Sequence, residues 1–552
     1  MKKFNKYYFL SLLIAMSIVS CETTELDITE DPNALTPTDA DIDFFLNNIQ
    51  EDFTALFEGN TALNEIGSEL TRTAQLSGRN YLSTFLPVSS DGEWATFYAV
   101  MLTDIRAMIP LAEEAGFTRH IAIAQFLEAY AVTAMVDFFG DIPYSEAIQG
   151  VQGLLNPSVD PGADIYAEAF ALLDQAEINF TNETAGDPAN DFFYGTNYDQ
   201  WLRAINTLRL KLNLQTRLVD PAAVTRFNAI IAEGNFIQDN ADDMQFSWPA
   251  TSNANPDVRH PRYAINYTAT GVAEYNSNWL MNQMDVLLDP RIRYYFFRQN
   301  EFVPGQEIPF DEQLLNCSSQ NPPQHYVDGG FTFCNLPNGY WGRDHGDDNG
   351  IPPDNFNRST FGVYPAGGRF DDDSFNATGL ISGANGAGIS PFLTASLVRF
   401  YQAEMAMVSG DEAAALTLMQ EGLTLHINKV MTFGTIDTTA DFSFAPTDGQ
   451  VTGFINNISI MFNNADTAGR WDILMEEFLV TTYGQGHEAY NAYRRTGFPT
   501  TLQANLEPNP GIFIRSLFYP AASVNNNSSI TQKASNNEPV FWDNNPTAPV
   551  AN

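Results

Sequence analysis

Residues 119–143 read RHIAIAQFLEAYAVTAMVDFFGDIP, and this stretch decides the fold. From Arg119 to Phe138 the apolar side chains Ile123, Phe126/Leu127, Tyr130/Ala131, Ala134 and Phe138 recur every three or four positions. That is the spacing of one face of an α-helix. Gly140-Asp141-Ile142-Pro143 then predicts its stop, since glycine suits a helix C-terminus and proline cannot continue one.

The same pattern repeats on either side. Phe97 to Ala115 reads as the partner of this helix, and Asp164–Phe180 with Tyr198–Val219 as a second pair. A third runs from Pro391 to Ser409, carrying Leu393, Leu397, Phe400/Tyr401 and Met405, and continues after a Ser-Gly turn from Asp411 to Val430. Arg470–Tyr483 and His487–Arg494, closed by Gly497-Phe498-Pro499, make a fourth. The expected fold is all-α, with about four tetratricopeptide-like helix pairs over roughly 97–235 and 391–496. The fixed period of about 34 residues that defines a strict repeat array is not visible. Between the two halves, from about Phe246 to Ser390, periodicity gives way to Asn, Asp, Gly, Pro and aromatic residues. A long irregular stretch inside a compact chain is usually functional, so 246–390 is expected to be a large loop-rich insertion packed on the scaffold. Asn525–Asn552 again lacks periodicity and is expected to run over the surface.

The chain has 552 residues, with 67 acidic side chains against 27 basic and a formal charge of −40. A body this acidic repels polyphosphates and anionic lipid, which excludes nucleic acid and charge-driven lipid binding as its business. Its basic start is different. Lys2, Lys3 and Lys6 precede the uncharged apolar run Tyr7–Val19, which ends at Ser20-Cys21. Roughly thirteen such residues suit a signal-peptide core and are too few for a permanent membrane helix. Residues 1–20 are therefore expected to be removed, leaving a chain of 21–552 lipidated on Cys21, which follows a small residue as a lipoprotein signal peptidase requires. An ordinary secretory signal is the competing reading. No other stretch is expected to be apolar and long enough to span a membrane. Cys317 and Cys334 remain as an even pair in an exported chain. A bridge between them would be worth roughly 3 kcal/mol through loop entropy, the alternative being two free thiols.

No His-Glu-x-x-His, Gly-x-x-x-x-Gly-Lys or Gly-x-Ser-x-Gly occurs, and the six histidines are scattered, so no catalytic residue is assigned. With so many acids, any carboxylate pair chosen for glycoside hydrolysis is uninformative. The densest constellation is Tyr340-Trp341-Gly342-Arg343-Asp344-His345-Gly346-Asp347-Asp348-Asn349-Gly350-Ile351-Pro352-Pro353-Asp354. Aromatic faces beside carboxylates, amides and an arginine are what a sugar needs, with rings for its C–H surface and fixed polar groups for its hydroxyls. A self-capped structural loop is the alternative. Asp347, Asp348 and Asn349 are also hard oxygen ligands of the kind Ca²⁺ takes, but their spacing fails the EF-hand pattern and no Glu closes the loop. The expectation is no cofactor, with Ca²⁺ as the alternative.

Cys21, Asp31-Pro32-Asn33 and Asp137-Phe138-Phe139-Gly140-Asp141-Ile142-Pro143-Tyr144-Ser145-Glu146-Ala147 together resemble the SusD/RagB family of Bacteroidetes outer-membrane lipoproteins. Gly342–Gly346, Gly350–Asp354, Val363-Tyr364-Pro365-Ala366-Gly367-Gly368 and the run Glu488–Gly497 are similar to one branch of it. The resemblance implies four tetratricopeptide-like pairs with an irregular insertion. It also implies a lid on a SusC-type, TonB-dependent barrel that captures an oligosaccharide, or sometimes a peptide, and hands it on without chemistry. The family has no shared ligand motif, so its binding residues do not transfer, and the Gly-Asp-Ile-Pro-Tyr segment reads as a helix stop and packing corner. Candidate stacking platforms are Tyr81, Trp94, Trp279, Tyr340 and Trp341. Arg343, Asp344, Asp347 and Asp348 are candidate hydroxyl partners, with neutral glycans as the favoured ligands. A surface glycosidase and a purely structural lid are the competing classes.

Overall fold

The computed structural model describes residues 41–59, 61–251, 257–302, 315–349 and 354–545. The chain divides into a unit of residues 1–41 and a body of Ile42–Asn552, to which the described helices and strands belong. The expected signal peptide, Cys21 and residues 350–353 lie outside the described residues.

The body is mostly helical. Its main helices are α1 Ile42–Phe57, α2 Leu63–Leu70, α3 Leu102–Ala115, α4 Thr118–Phe139, α5 Gly162–Thr181, α6 Tyr198–Thr216 and α7 Ala223–Glu233. After them come α8 Asn278–Val286, α9 Ala395–Ser409, α10 Glu412–Thr432, α11 Asp448–Asn464, α12 Thr467–Thr481 and α13 Gly486–Thr496. Neighbours pack in tetratricopeptide-like pairs, most extensively α4 on α5 and α9 on α10, with α6 on α7 and α11 on α12 beside them, so the expected pairing of Phe97–Ala115 with Arg119–Phe138 and of Asp164–Phe180 with Tyr198–Val219 is shifted by one helix. Helix α4 lies at the centre, flanked by α1, α3 and α5. Its predicted stripe is buried, and so is nearly every other residue from His120 to Phe139. A helix that is apolar all round belongs inside a protein or a membrane. By length and composition Thr118–Phe139 and Pro87–Ala115 would both suffice to cross a membrane, which corrects the expectation that no stretch beyond the leader would; the apolar window of Thr118–Phe139 is 94% buried inside the body. At about 1.5–3 kcal/mol for each large apolar side chain taken out of water, α4 is a major source of the fold's stability.

Helix α4 stops where the sequence says it should. Gly140 sits at φ 74°, ψ −129°, a region open essentially to glycine alone. Asp141 Oδ1 accepts the N–H of Gly162 at the start of α5, 2.7 Å away, and Ile142 pairs with Asp160. One turn earlier, fully buried Asp137 gathers four donors. Oδ1 accepts from Tyr166 and Trp542, while His487 and Asn491 of α13 lie 2.7 Å from Oδ2. Arg494 of α13 donates to the backbone carbonyl of Asp137 at 2.8 Å. The corner thus ties α4, α5, α13 and the C-terminal segment together. Helix α13 itself packs chiefly against α2, and a Cβ on Gly67 would stand 2.2 Å from the carbonyl oxygen of Gly486, so glycine there permits the approach.

Several details depart from the sequence reading. Residues 389–393 form a strand, β4, paired antiparallel with β1, Met244–Ser247, so α9 begins only at Ala395, capped by Thr394. Pro391 to Leu393 had read as the helix's first turn because their apolar character runs unbroken into it. The fourth pair is also differently composed, since α12 packs on α9 and α11 more than on α13. Helix α11 escapes a periodicity search because DGQVTGFINNISIMFNN mixes Gly and Asn among its apolar residues; the capping box of Thr447 and Gln450 starts it. The insertion is not structureless either. It holds α8, short helices at Pro261–Asn266 and Gln324–Gly329, and the pair β2 Phe296–Phe297 with β3 Thr360–Phe361. Strand β2 leads directly into Arg298.

Candidate functional site

A cleft of about 980 Å³ opens where the insertion meets α11. Four stretches distant in sequence line it: Met284–Phe302, Pro337–Tyr340, Asp373–Phe375 and Phe444–Asn457. Its volume falls in the range typical of ligand pockets.

One wall is built around two arginines. Arg298 donates through Nε to Asp371 Oδ2 at 2.7 Å and through Nη1 to the carbonyl of Asn338 at 2.7 Å, and its Nη2 is bound by Asp371 and Asp373. Its guanidinium lies between the rings of Tyr340 and Phe375, 5.0 and 5.1 Å from their centroids. Arg293 donates to Asp373 Oδ1 at 2.8 Å and stands 5.3 Å from the centre of the Phe444 ring. Cation–aromatic plates of this kind hold rings rigidly and leave the far faces free. Burial raises the proton affinity of Asp373, but the hydrogen bond from Arg293 and the charges of Arg298 and Arg293 outweigh it and hold its carboxyl below the usual range. Asp285 goes the other way, raised by burial against the opposing hydrogen bond from Asn338 and the charge of Arg298. Asp373 and Phe375 both occupy the left-handed backbone region, at φ 57° and 49°, which is costly for residues with a Cβ and occurs where neighbouring contacts enforce it.

Beside Arg293, Phe444 precedes α11 and is 39% exposed. Gln450 and Asn457 of α11 and Asn338 of the insertion add exposed amides. The arrangement combines an accessible ring with fixed donors and acceptors, the mixture a saccharide requires.

Of the residues singled out from sequence, Tyr340 alone lines this cleft, and only its edge does, since it is 4% exposed. Tyr81 is fully buried, its hydroxyl 3.2 Å from His345 Nε2 and bonded by Arg72. Trp279 is buried and donates to the carbonyl of Thr501 at 3.0 Å. Trp94 is half-buried against Tyr98 and Phe139. Trp341 is 2% exposed and packs with Leu315 on Cys317 and Cys334. None of these four offers an open face to the cleft. Arg343 stacks 4.1 Å from the Tyr275 ring centre and donates to its hydroxyl. Asp344 accepts from Asn278, Gln503 and the N–H of Cys334, and burial raises its carboxyl to about 6 against those bonds. Asp347 accepts twice from Asn349, whereas exposed Asp348 lies 3.5 Å from Arg79. The described part of the Tyr340–Asp354 loop therefore spends its polar groups on its own turns and neighbours. Among the described residues no group of three or more His, Cys, Asp or Glu side chains is placed to hold a metal ion.

Cys317 and Cys334 are bridged. Their cluster supports Phe302, which reaches the cleft. Replacing both by serine is expected to cost about 3 kcal/mol, read as a lowered urea midpoint, and to weaken ligand binding less than it weakens the fold.

The residues that build the cleft, Arg293, Arg298, Phe375 and Phe444, were not singled out from sequence. Two signals could have pointed to them: the acidic run Asp371-Asp372-Asp373 facing the Phe-Phe-Arg of 296–298, and the non-periodic Phe-Ser-Phe of 442–444 in a polar loop.

Comparison with known families and structures agrees with this architecture. The sequence pattern of the SusD-like family, described as starch-binding and associating with the outer membrane, matches residues 32–309. A SusD homologue from Bacteroides fragilis superposes with a TM-score of 0.64 at 17% identity, covering 91% of this chain and 99% of its own. A SusD/RagB family protein from Bacteroides thetaiotaomicron gives 0.64 at 17%, over 92% and 99%. A chitin-binding SusD homologue from Flavobacterium johnsoniae gives 0.62 at 16%, over 91% and 99%. At these identities the likeness is one of fold. Comparison with curated proteins returns no match.

Proposed function

The chain belongs to the SusD/RagB family, and from that premise we propose that it is a cell-surface glycan-binding lipoprotein, anchored through Cys21, that captures oligosaccharides in the cleft between insertion and α11 and delivers them to a SusC-type, TonB-dependent barrel. The observation that carries the reading is the cleft itself: a volume fit for several sugar rings, one exposed aromatic face at Phe444, and polar groups already fixed by the Arg293–Arg298–Asp371–Asp373 network. Preorganised donors and rings bind without a large ordering cost. The family description and the chitin-binding relative favour a glycan over other ligands. Both speak of binding, which fits a protein that releases its ligand unchanged. The leader and Cys21 supply the anchor, and the acidic body keeps a tethered, crowded protein soluble.

Titrating the chain from residue 21 with a panel of neutral oligosaccharides tests the reading. Binding is expected, and Phe444→Ala should weaken it about tenfold while leaving the urea midpoint nearly unchanged, because a half-exposed ring contributes stacking to a ligand and little to the core. Affinity that survives this change in full places the ligand elsewhere.

A further inference from the structure

The charges lining the cleft do not cancel. Both guanidinia are spent: Arg298 on Asp371, Asp373 and a backbone carbonyl, and Arg293 on Asp373 and the carbonyl of Asp371. Asp289 is likewise held by buried Arg291. Two carboxylates are left. Asp285 accepts only from the amide of Asn338, at 3.1 and 3.2 Å, among the described residues. Glu301 is exposed and forms no ion pair among the described residues. The turn at Asn338–Gly339 joins them: Asn338 reaches Asp285, and a Cβ on Gly339 would stand 2.8 Å from the carbonyl oxygen of Glu301. The two acids thus flank one short turn on the cleft's rim.

The backbone adds to this charge. Asp285 lies in the last turn of α8, which carries no basic residue there. A helix C-terminus bears roughly half a negative charge and favours a cation beside it, so a carboxylate at that position is unfavourable until a cation arrives. The charge the protein does bring to bear on it, that of Arg298, is already bound by Asp371 and Asp373.

We infer that the cleft selects a saccharide bearing protonated amines, a deacetylated amino-sugar oligomer, with Asp285 and Glu301 receiving its ammonium groups. The inference rests on the reading of the cleft as a saccharide site. A cationic peptide would meet the same charges, but the cleft offers ring faces and side-chain amides where an extended peptide would look for an open strand edge, and the residues of β2 beside it are buried.

The test is calorimetric titration at about 150 mM salt, where charges further apart than about 8 Å are largely screened. The probes are a glucosamine tetramer, its fully N-acetylated counterpart, a uronic acid oligomer and an oligolysine peptide. The glucosamine tetramer is expected to bind at least tenfold tighter than the N-acetylated one, with the uronate weakest. The double variant Asp285→Asn/Glu301→Gln should erase that preference and keep the affinity for the N-acetylated oligomer. Equal or tighter binding of the N-acetylated or uronate oligomer, still weakened by Phe444→Ala, overturns the inference and leaves the saccharide cleft standing. Oligolysine binding as tightly as the glucosamine tetramer overturns the choice of a saccharide. Glucosamine binding indifferent to Phe444→Ala, or no binding by any oligomer, overturns the cleft reading along with the inference.

Discussion

Asp137→Ala is expected to destabilise the protein by at least about 4 kcal/mol. Asp137 is fully exempt from solvent and receives Tyr166, Trp542, His487 and Asn491. Truncation leaves these buried donors without an acceptor, at about 1–3 kcal/mol each before relaxation, and opens a void among them. It also uncouples a wider network, since His487 Nδ1 lies 3.5 Å from Lys211 Nζ and Lys211 pairs with Glu488, which accepts from Tyr401 at 2.7 Å. Domains are held by only about 5–15 kcal/mol in total, so the variant should unfold at a far lower urea concentration or fail to accumulate. Asp137→Asn, which keeps one acceptor oxygen, should fall between. The measurement is the denaturation midpoint of each variant; an Asp137→Ala midpoint within error of the unchanged protein would refute the packing-corner account of this motif.

Arg298→Ala should damage both the fold and the site. The side chain is the principal charge partner of Asp371, which is wholly buried and would keep the guanidinium of Arg293 at 3.6 Å and the backbone N–H groups of Arg298 and Asp373. Breaking a buried ion pair from one side costs about 3–5 kcal/mol, because the remaining charge is left without compensation. Tyr340 and Phe375 would lose the plate between them, and Asn338 the donor that fixes its carbonyl. Ligand affinity is therefore expected to drop beyond detection even where the variant still folds. Arg298→Lys retains the charge without the planar fork and should recover part of the stability and less of the binding. Urea unfolding and titration on the two variants separate these effects; full affinity in a folded Arg298→Ala would remove the wall from the binding site.

The contrast between these two positions shows what could be read in advance. The helix around Asp137 was legible because a buried α-helix must place apolar residues at a fixed spacing, and Gly140 ends it for a reason local to the chain. The same logic gave α5, α6, α10 and α12 with ends displaced by three residues or fewer. It failed where local chemistry was ambiguous. Ile389–Leu393 is apolar enough for strand or helix, and pairing with Met244–Ser247, distant in sequence, decides it. Helix α11 is polar and glycine-containing, and its packing against α10 and α12 sustains it.

The cleft was hidden for a related cause. Its walls come from segments lying up to about 170 positions apart, none of them periodic, and only the tertiary fold brings Arg298 to Asp371 or Arg293 to Phe444. Choosing aromatic residues by type favoured Tyr81, Trp279 and Trp341, yet large rings are the side chains that gain most from burial. They became anchors: Trp341 on the disulfide, Trp279 on the carbonyl of Thr501, Tyr81 between Arg72 and His345. Phe444, held out of the core by a polar loop before α11, is the ring left open.

Capture without chemistry is most directly examined by incubating the chain from residue 21 with the oligosaccharide it binds and following both partners over many times the binding lifetime. The ligand should be recovered whole, in the amount added, after saturating the cleft at one equivalent per chain. Accumulation of shorter saccharides beyond that equivalent, abolished by changing a cleft carboxylate, would make the protein a glycosidase and contradict the account.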